Sequence, residues 1–562
     1  MENVICIINS ADLPAAVAIA KDLDDYKTYI FDPTLLETVE SANLKNIILM
    51  NWDNCLDYKE LERWSHATAF EIEKELDLVR SEIIPDISLH SWQHLNLHYL
   101  FKALRWYSVL WKDVIPSITN SIFYVFVCDN PSHNYFPSFI PSLLLLEYLT
   151  VNGIKFSAYT YGKKADETDV IPDLFEFDLT EHFEILAHIP TCFYDSPYFN
   201  EELKLSGKAV VNFQSKYWNI SIDAVRTIGL TKVKSENDEF LVSLGDKSNV
   251  FYERITETLD HLLKPYIRTV PYRSRQSQYL ARLYKSQMIT YYLLEKNFIG
   301  QRPSKVLLSE HDAGFHGPIV SFAQNNDIPI LLVPHSKTIG NIEFDGTNIT
   351  SLSHPMQGAL VSDRNSKRVR NFHLMYPESL VSSTSSPEKI TKIGLLLNGL
   401  SLNGILFSRF ASYIDGIKRI SDWCKHNKIE LGIRCRPGQS LINILARETG
   451  IQIDVIKDDS SGLMDDFVKK YDLYLMYDAP TSGAVKFLQQ SIPILNPVIR
   501  DLSQAETGTT SSKVIPRASV ETILDILDTF VSDNVNFHIF RITQFRNYVN
   551  LFCDSYPLRH FL

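Results

Sequence analysis

Short apolar runs that alternate with helical stretches restrict this chain more than any other feature. Val4 to Ile8, Tyr29 to Phe31, Asn46 to Met50, Ile122 to Cys128 and Phe156 to Tyr159 read as strands. Pro14–Leu23, the long stretch from Tyr58 to Val114, and Ser142–Thr150 read as helices between them. The pattern returns with helix Gln276–Asn297, strand Lys305–Ser309, helix Ile319–Asn326, strand Pro329–Val333 and a strand at Ala359–Ser362. These strands are apolar at successive positions, so both faces must be covered. That is the mark of a parallel sheet with helices packed on each side.

A second series follows Val381-Ser382-Ser383-Thr384-Ser385-Ser386-Pro387-Glu388, the most linker-like piece of the chain. Its strands are Lys392–Leu397, Glu430–Cys435, Gln452–Val455, Leu473–Met476 and Ile492–Leu495, with helices at Phe407–His426 and Ala484–Gln490. The fold class is therefore α/β, with two Rossmann-like domains facing one another across a cleft. The first covers residues 1–375 with a helical insertion at about 56–115, and the second covers 390–535. The amphipathic stretch from Phe537, within 536–562, is expected as a helix packing back. Residues 180–260 show no clear period.

At 562 residues the chain is long enough for several cores. A net charge of −12 excludes a general nucleic-acid binder, which needs a basic face, but permits a local basic cleft. Seven cysteines without a Cys-x-x-Cys pair indicate neither a disulfide framework nor a zinc site. No apolar run reaches the ~20 residues a bilayer needs. The segment after Met1 lacks the basic start of a signal peptide. The expectation is a cytoplasmic protein.

In parallel sheets, ligands sit beyond the carboxyl ends of the strands, and chemistry is sought there. Glu310-His311-Asp312 follows Lys305–Ser309; a carboxylate here is either a general base or nucleophile, or a simple helix cap. His335 and Lys337 follow Pro329–Val333 and suit a phosphate, carboxylate or acceptor hydroxyl, or a structural role. Arg434 and Arg436 end a strand, two positions apart and so on one side of an extended chain. Their guanidinium forks match phosphate or carboxylate oxygens, or else lie solvated. Thr481 and Ser482 start a helix, where anions bind, although capping explains them too. Asn398 and Gly399 open a Gly/Asn loop that lacks both the G-x-G-x-x-G order and a P-loop lysine.

The run from the acidic strand end through "IPILLVPH" resembles the amino-terminal half of GT-B glycosyltransferases that build bacterial surface polysaccharides. Asp312 and His335 match that pattern, while their neighbours His311, Pro334 and Ser336 depart from it. Arg436-Pro437 stands where such enzymes often have His-Pro, and Pro480-Thr481-Ser482 through Ile494 looks like their donor segment. The resemblance covers Lys305 to Asn496, about a third of the chain. It implies transfer from a nucleotide-activated sugar, with enzymes of CMP-linked ulosonic acids (Kdo and sialic type) favoured. The acceptor is a glycan or lipid-linked glycan in capsule, O-antigen or lipopolysaccharide synthesis, with peripheral contact at the inner membrane face. Catalysis falls to Asp312, with Glu310 in reserve and His335 orienting. Donor contacts fall to Arg434, Arg436, Pro437, Thr481, Ser482, Asn398, Gly399 and Lys337, with no metal and no cofactor. Two alternatives stay open. One is a nucleotide-sugar 2-epimerase of the same fold, though Pro334-His335-Ser336-Lys337 lacks that family's Glu and Arg. The other is a non-catalytic subunit of a polysaccharide assembly complex.

Overall fold

The computed structural model describes residues 2–50, 58–89, 92–118, 120–128, 137–162, 183–189, 197–213, 239–308, 316–332, 389–402, 408–436, 441–478, 484–499, 514–550 and 557–562. Residue 56 and the short segments 175–177, 226–228, 230–232, 349–353, 369–373 and 404–406 are also described.

Three parallel sheets dominate. The first is built from β1 (Glu2–Ile7), β2 (Lys27–Ile30), β3 (Ile47–Leu49), β4 (Ser121–Cys128) and β5 (Phe156–Tyr161), in the order β3-β2-β1-β4-β5. Ile5 pairs with Thr28 on one side and Tyr124 on the other, so β1 is central. Its residues Val4 to Ile7 are wholly buried, which accounts for an apolar run with no alternation. A small antiparallel pair, β6 (Phe175–Phe177) with β10 (Leu230–Lys232), stands apart.

The second sheet lies in the same 1–375 stretch that the sequence pattern treats as one unit. It has seven strands: β7 (Ile185–His188), β8 (Val210–Phe213), β9 (Arg226–Ile228), β11 (Lys305–Leu308), β12 (Ile330–Leu332), β13 (Ile349–Ser353) and β14 (Val369–His373). Their order is β14-β13-β12-β11-β7-β8-β9. The expected strand Ala359–Ser362 lies outside the described residues.

The third sheet holds β15 (Lys392–Leu397), β18 (Glu430–Arg434), β19 (Leu473–Tyr477), β20 (Ile494–Val498) and β21 (Arg517–Ser519), ordered β18-β15-β19-β20-β21. Between β15 and β18 a short hairpin pairs β16 (Ser401–Leu402) with β17 (Ile405–Leu406). The expected strand Gln452–Val455 is instead the start of a helix, Ile453–Ser461. Ile453 and Val455 mimic a strand's alternation but face solvent, while Ile456 and Asp459, one turn apart, are buried.

Helices fix how the sheets meet. Of those used below, α1 is Leu13–Ala20, α2 is Leu36–Ser41, α3 is Tyr58–Ile83 and α4 is His94–Val114. The last two form an antiparallel hairpin that fills the expected 56–115 stretch. Trp92, Trp106 and Trp111 are fully buried in and beside it. Each contributes on the order of 1.5–3 kcal/mol or more of burial. Trp92 Nε1 donates to Ser321 Oγ at 3.0 Å, in the helix His316–Asn325 between β11 and β12. A Cβ on Gly317 would fall 2.7 Å from the Trp92 ring, so glycine lets hairpin and second sheet close together.

The carboxyl-terminal helix Asn534–Asn550 packs on the third sheet, where Gln544 bonds both N–H and C=O of Ile494. The chain then runs to the second sheet. Arg559 pairs with Glu202 at 2.9 Å, and Lys305 Nζ donates to the carbonyls of Phe561 and Leu562.

Candidate functional site

A doubly wound sheet opens a crevice where its strand order reverses, beyond the carboxyl ends of the two strands at that point. In the first sheet these strands are β1 and β4. The crevice mouth is Ile8 to Asp12, and it is closed from within. Asp12 Oδ2 accepts the backbone N–H groups of Ile8 and Asn9 at 2.9 and 2.8 Å, and Oδ1 accepts the Tyr161 hydroxyl at 2.7 Å. The carboxyl is fully buried, and desolvation pushes its pKa up to about 6 against the three donors. The amides that would cradle a phosphate already hold an aspartate.

The third sheet reverses between β15 and β19. Here Asp478, in left-handed backbone at φ 59°, folds back to accept from Ser408 Oγ at 2.5 Å and from Ile499 N at 3.3 Å. A cavity beyond β15 and β18 is lined by Leu397, Asn398, Leu400, Tyr413, Cys435, Arg436, Leu441 and Leu445, with Thr34 closing it from the first sheet. Arg436 is exposed and brings a guanidinium to this wall. Asn398 keeps its loop in shape: its Oδ1 accepts from Gly399 N at 2.9 Å and its carbonyl from Tyr413 Oη at 3.1 Å. Burial raises the Cys435 thiol to about 11, so this wall residue stays a neutral thiol.

Three contacts tie the first sheet to the third around the cavity. Asp32 follows β2, takes the Thr34 N–H and hydroxyl on Oδ1 at 2.9 and 2.7 Å, and accepts from Ser401 Oγ at 3.4 Å. Burial raises its pKa, partly offset by those donors. Gly404, at φ 81°, lies under Tyr107 of α4; a Cβ there would come within 2.3 Å of the phenol oxygen. Glu37 of α2 caps the helix Ile442–Thr449 across the gap, accepting from Asn443 N at 2.6 Å. These acids come from loops and from α2, far in sequence from their partners, and no local motif announces them.

The expected site residues are distributed unevenly. Asn398 and Arg436 line the cavity, and Gly399 stands beside Asn398. Arg434 does not join Arg436: its guanidinium donates to the Asp459 carbonyl and lies over the Phe467 ring, 5.4 Å from its centre. The chain leaves the extended form after β18, so the same-side rule for alternate residues stops at Arg434. The loop 397–404, expected to approach a phosphate, brings its Gly404 against Tyr107 instead. Asp312, Glu310, His335, Lys337, Pro437, Thr481 and Ser482 lie outside the described residues. The strands that precede Asp312 and His335 are parallel neighbours, with Leu307 opposite Leu331, as the sequence pattern expects.

No protein-family model and no curated protein sequence matches the chain. Solved structures similar to it include the glycosyltransferase SnogD from Streptomyces nogalater, 10% identical, with TM-score 0.35 over 68% of this chain and 98% of that one. MurG from Acinetobacter baumannii is likewise 10% identical, with TM-score 0.35 over 67% and 96%. UGT2 from Phytolacca americana, solved with UDP-2-fluoro-glucose and pterostilbene, is 8% identical, with TM-score 0.35 over 66% and 95%. These likenesses are loose, and the assignments below rest on the chain's own strand order and cavity. The chain is an α/β protein in which two Rossmann-like units, the first and third sheets, face each other across a small cavity of mixed lining, with a further parallel sheet beside them.

Proposed function

We propose that the chain is a GT-B type glycosyltransferase whose nucleotide-sugar donor binds at the third sheet. The contrast between the two crevices carries this reading. One is plugged by Asp12, whereas beside the other the ends of β15 and β18 present Asn398 and Arg436 to a cavity that the first sheet covers. Arg436 takes the donor phosphate, with Thr481, Ser482 and Pro437 completing the seat. A CMP-linked ulosonic acid is the favoured donor, since its phosphate and carboxylate both suit a guanidinium fork. The acceptor is a glycan or lipid-linked glycan of bacterial surface polysaccharide, met in the cytoplasm at the inner membrane face. No helix among the described residues is long and apolar enough to cross a membrane.

Sugar transfer needs an ionised carboxylate, as base to the acceptor hydroxyl or as nucleophile at the anomeric carbon. We assign this to Asp312, with Glu310 in reserve and His335 orienting the acceptor. Adjacent parallel strands lead into the segments that carry them. Thermal melting with CMP, UDP, GDP and TDP tests the nucleotide half, because a ligand of the native state raises its stability. CMP is expected to raise the melting temperature most. No response to any of the four overturns the reading.

A further inference from the structure

The sugar-transfer reading leaves unused a polar cluster inside the α3–α4 hairpin. Glu62 and His66 lie one turn apart on α3, and His94 and His98 one turn apart on α4, so each pair shares a helix face. Glu62 Oε2 lies 3.1 Å from His98 Nε2 and 3.7 Å from His66 Nε2. The three atoms fall within 4.8 Å of one another. Ligand atoms about 2.0–2.1 Å from a tetrahedral zinc are roughly 3.4 Å apart, which two of these separations already approach.

The protons around this point are accounted for elsewhere. His94 Nδ1 meets Glu73 Oε2 at 3.1 Å, with both side chains fully buried. A carboxylate only accepts, so His94 carries its proton on Nδ1 and offers a lone pair at Nε2. That lone pair faces His66 Nδ1 at 2.9 Å, so His66 donates there and its Nε2 is bare. Ser65 Oγ stands 2.8 and 3.0 Å from the carbonyls of Leu61 and Glu62 and gives its one proton to them. If it then accepts from His98 Nδ1 at 2.9 Å, His98 Nε2 is bare as well; a proton given by Ser65 to Nδ1 would instead put the ring's own proton on Nε2, facing Glu62 Oε2 at 3.1 Å. The rings of His66 and His98 stack 3.6 Å apart and 10° from parallel, which brings both Nε2 atoms to the Glu62 carboxylate; aiming both lone pairs at one ion takes a turn of one ring out of the stack. In the first of these arrangements three acceptors meet with no proton among them, which suits a cation. Buried partners on the far nitrogens hold both rings, as they do around metal-ligating histidines.

We propose that Glu62, His66 and His98 bind one divalent first-row transition ion of the Zn²⁺ class. Imidazole nitrogen selects such an ion over Mg²⁺ or Ca²⁺, which prefer oxygen alone. Lys102 neutralises Glu62 from its other oxygen, Oε1, and leaves Oε2 to the ion. Three protein ligands leave a fourth position for solvent. The site lies on α4 more than two turns before Tyr107, roughly 13 Å along the helix from the contact with Gly404. It clasps the hairpin and is separate from the donor cavity.

The test uses the full chain, stripped with a chelator and titrated with Zn²⁺ or Co²⁺ alone. Expected are saturation at one equivalent, a rise in melting temperature with Zn²⁺, and visible d–d absorption from bound Co²⁺. His66→Gln and His98→Gln should each weaken binding at least a hundredfold while keeping the parent far-ultraviolet circular dichroism. Glu73→Gln, acting through His94, should weaken it about ten- to a hundredfold. A parent chain without stoichiometric binding overturns the proposal, and that result needs no variant to fold. Binding unchanged in both histidine variants also overturns it, since the ion then sits elsewhere.

Discussion

The first and third sheets use the same topological device in opposite ways. Both are parallel and both reverse strand order beside an interior strand, β1 in one and β15 in the other. At the first reversal, Asp12 occupies the two backbone amides that an anion would need. At the third, the acid, Asp478, turns away onto Ser408 and Ile499, and the adjoining strand ends line a cavity with Asn398 and Arg436. A fold supplies a crevice, but the side chain at its mouth decides whether a ligand enters. On the proposed reading, that decision puts the donor at the third sheet. The first becomes a wall, held by Asp32, Glu37 and Tyr107.

The largest effect concerns where the proposed catalytic carboxylate sits. Asp312→Asn keeps the side chain's shape and removes its charge. Loss of a general base is expected to slow turnover about 10²–10⁴-fold with melting little changed. Asp32 is the rival, because it stands two residues from Thr34 on the cavity wall. Its oxygens already serve Thr34 and Ser401, so Asp32→Asn should cost stability, on the order of 1–3 kcal/mol, more than turnover. Turnover and melting on the same two preparations separate them. If Asp32→Asn gives the larger kinetic loss at parental melting, the first sheet carries the chemistry and Asp312 does not.

Asp12 gives the comparison a pH signature. Its pKa is raised to about 6, above the unfolded aspartate value, so the native state holds this proton more tightly than the unfolded chain does. Stability from this group is complete below the unfolded pKa and is lost as pH rises through about 6. The loss amounts to about 3 kcal/mol. Asp12→Asn has no such titration. Urea midpoints at pH 4 and pH 7 should therefore show the parent losing about that much relative to the variant as pH rises. A pH-independent difference would mean that the crevice mouth is wetter than its burial indicates.

Much of the fold was legible because buried parallel strands carry apolar residues at successive positions, as in β1, β4 and β15. What escaped had physical reasons. β7 is only Ile185-Leu186-Ala187-His188, a run too short to stand out, yet it pairs with the central strand, β11, of the second sheet. Ile453 and Val455 copied a strand's alternation on a helix whose buried face begins at Ile456. At the site, Arg436 and Asn398 were legible from their places after strands. Asp32, Glu37 and Tyr107 were not, because their partners lie hundreds of positions away in the chain. The Glu62–His66–His98 cluster was hidden similarly: each helix carries an ordinary one-turn spacing, and only the hairpin brings the halves together.

The smallest predicted effect is also the sharpest check on the third sheet. Sequence spacing puts Arg434 and Arg436 on one side of a strand, and a donor site read that way uses both. The structure separates them. Arg436 is exposed at the cavity, while Arg434 is half-buried, bonded to the Asp459 carbonyl and stacked over Phe467. Removing a charge-assisted contact to a phosphate costs about 1.5–3 kcal/mol, so Arg436→Ala should weaken nucleotide binding roughly ten- to a hundredfold. Arg434→Ala removes a contact to protein alone. It should lower stability by about 1 kcal/mol and change nucleotide affinity less than about twofold. Calorimetric titration of both variants with the nucleotide that gives the largest thermal shift measures the difference directly. Equal losses in the two variants would mean that Arg434 leaves Asp459 when the donor arrives, and the open crevice would then extend to both arginines.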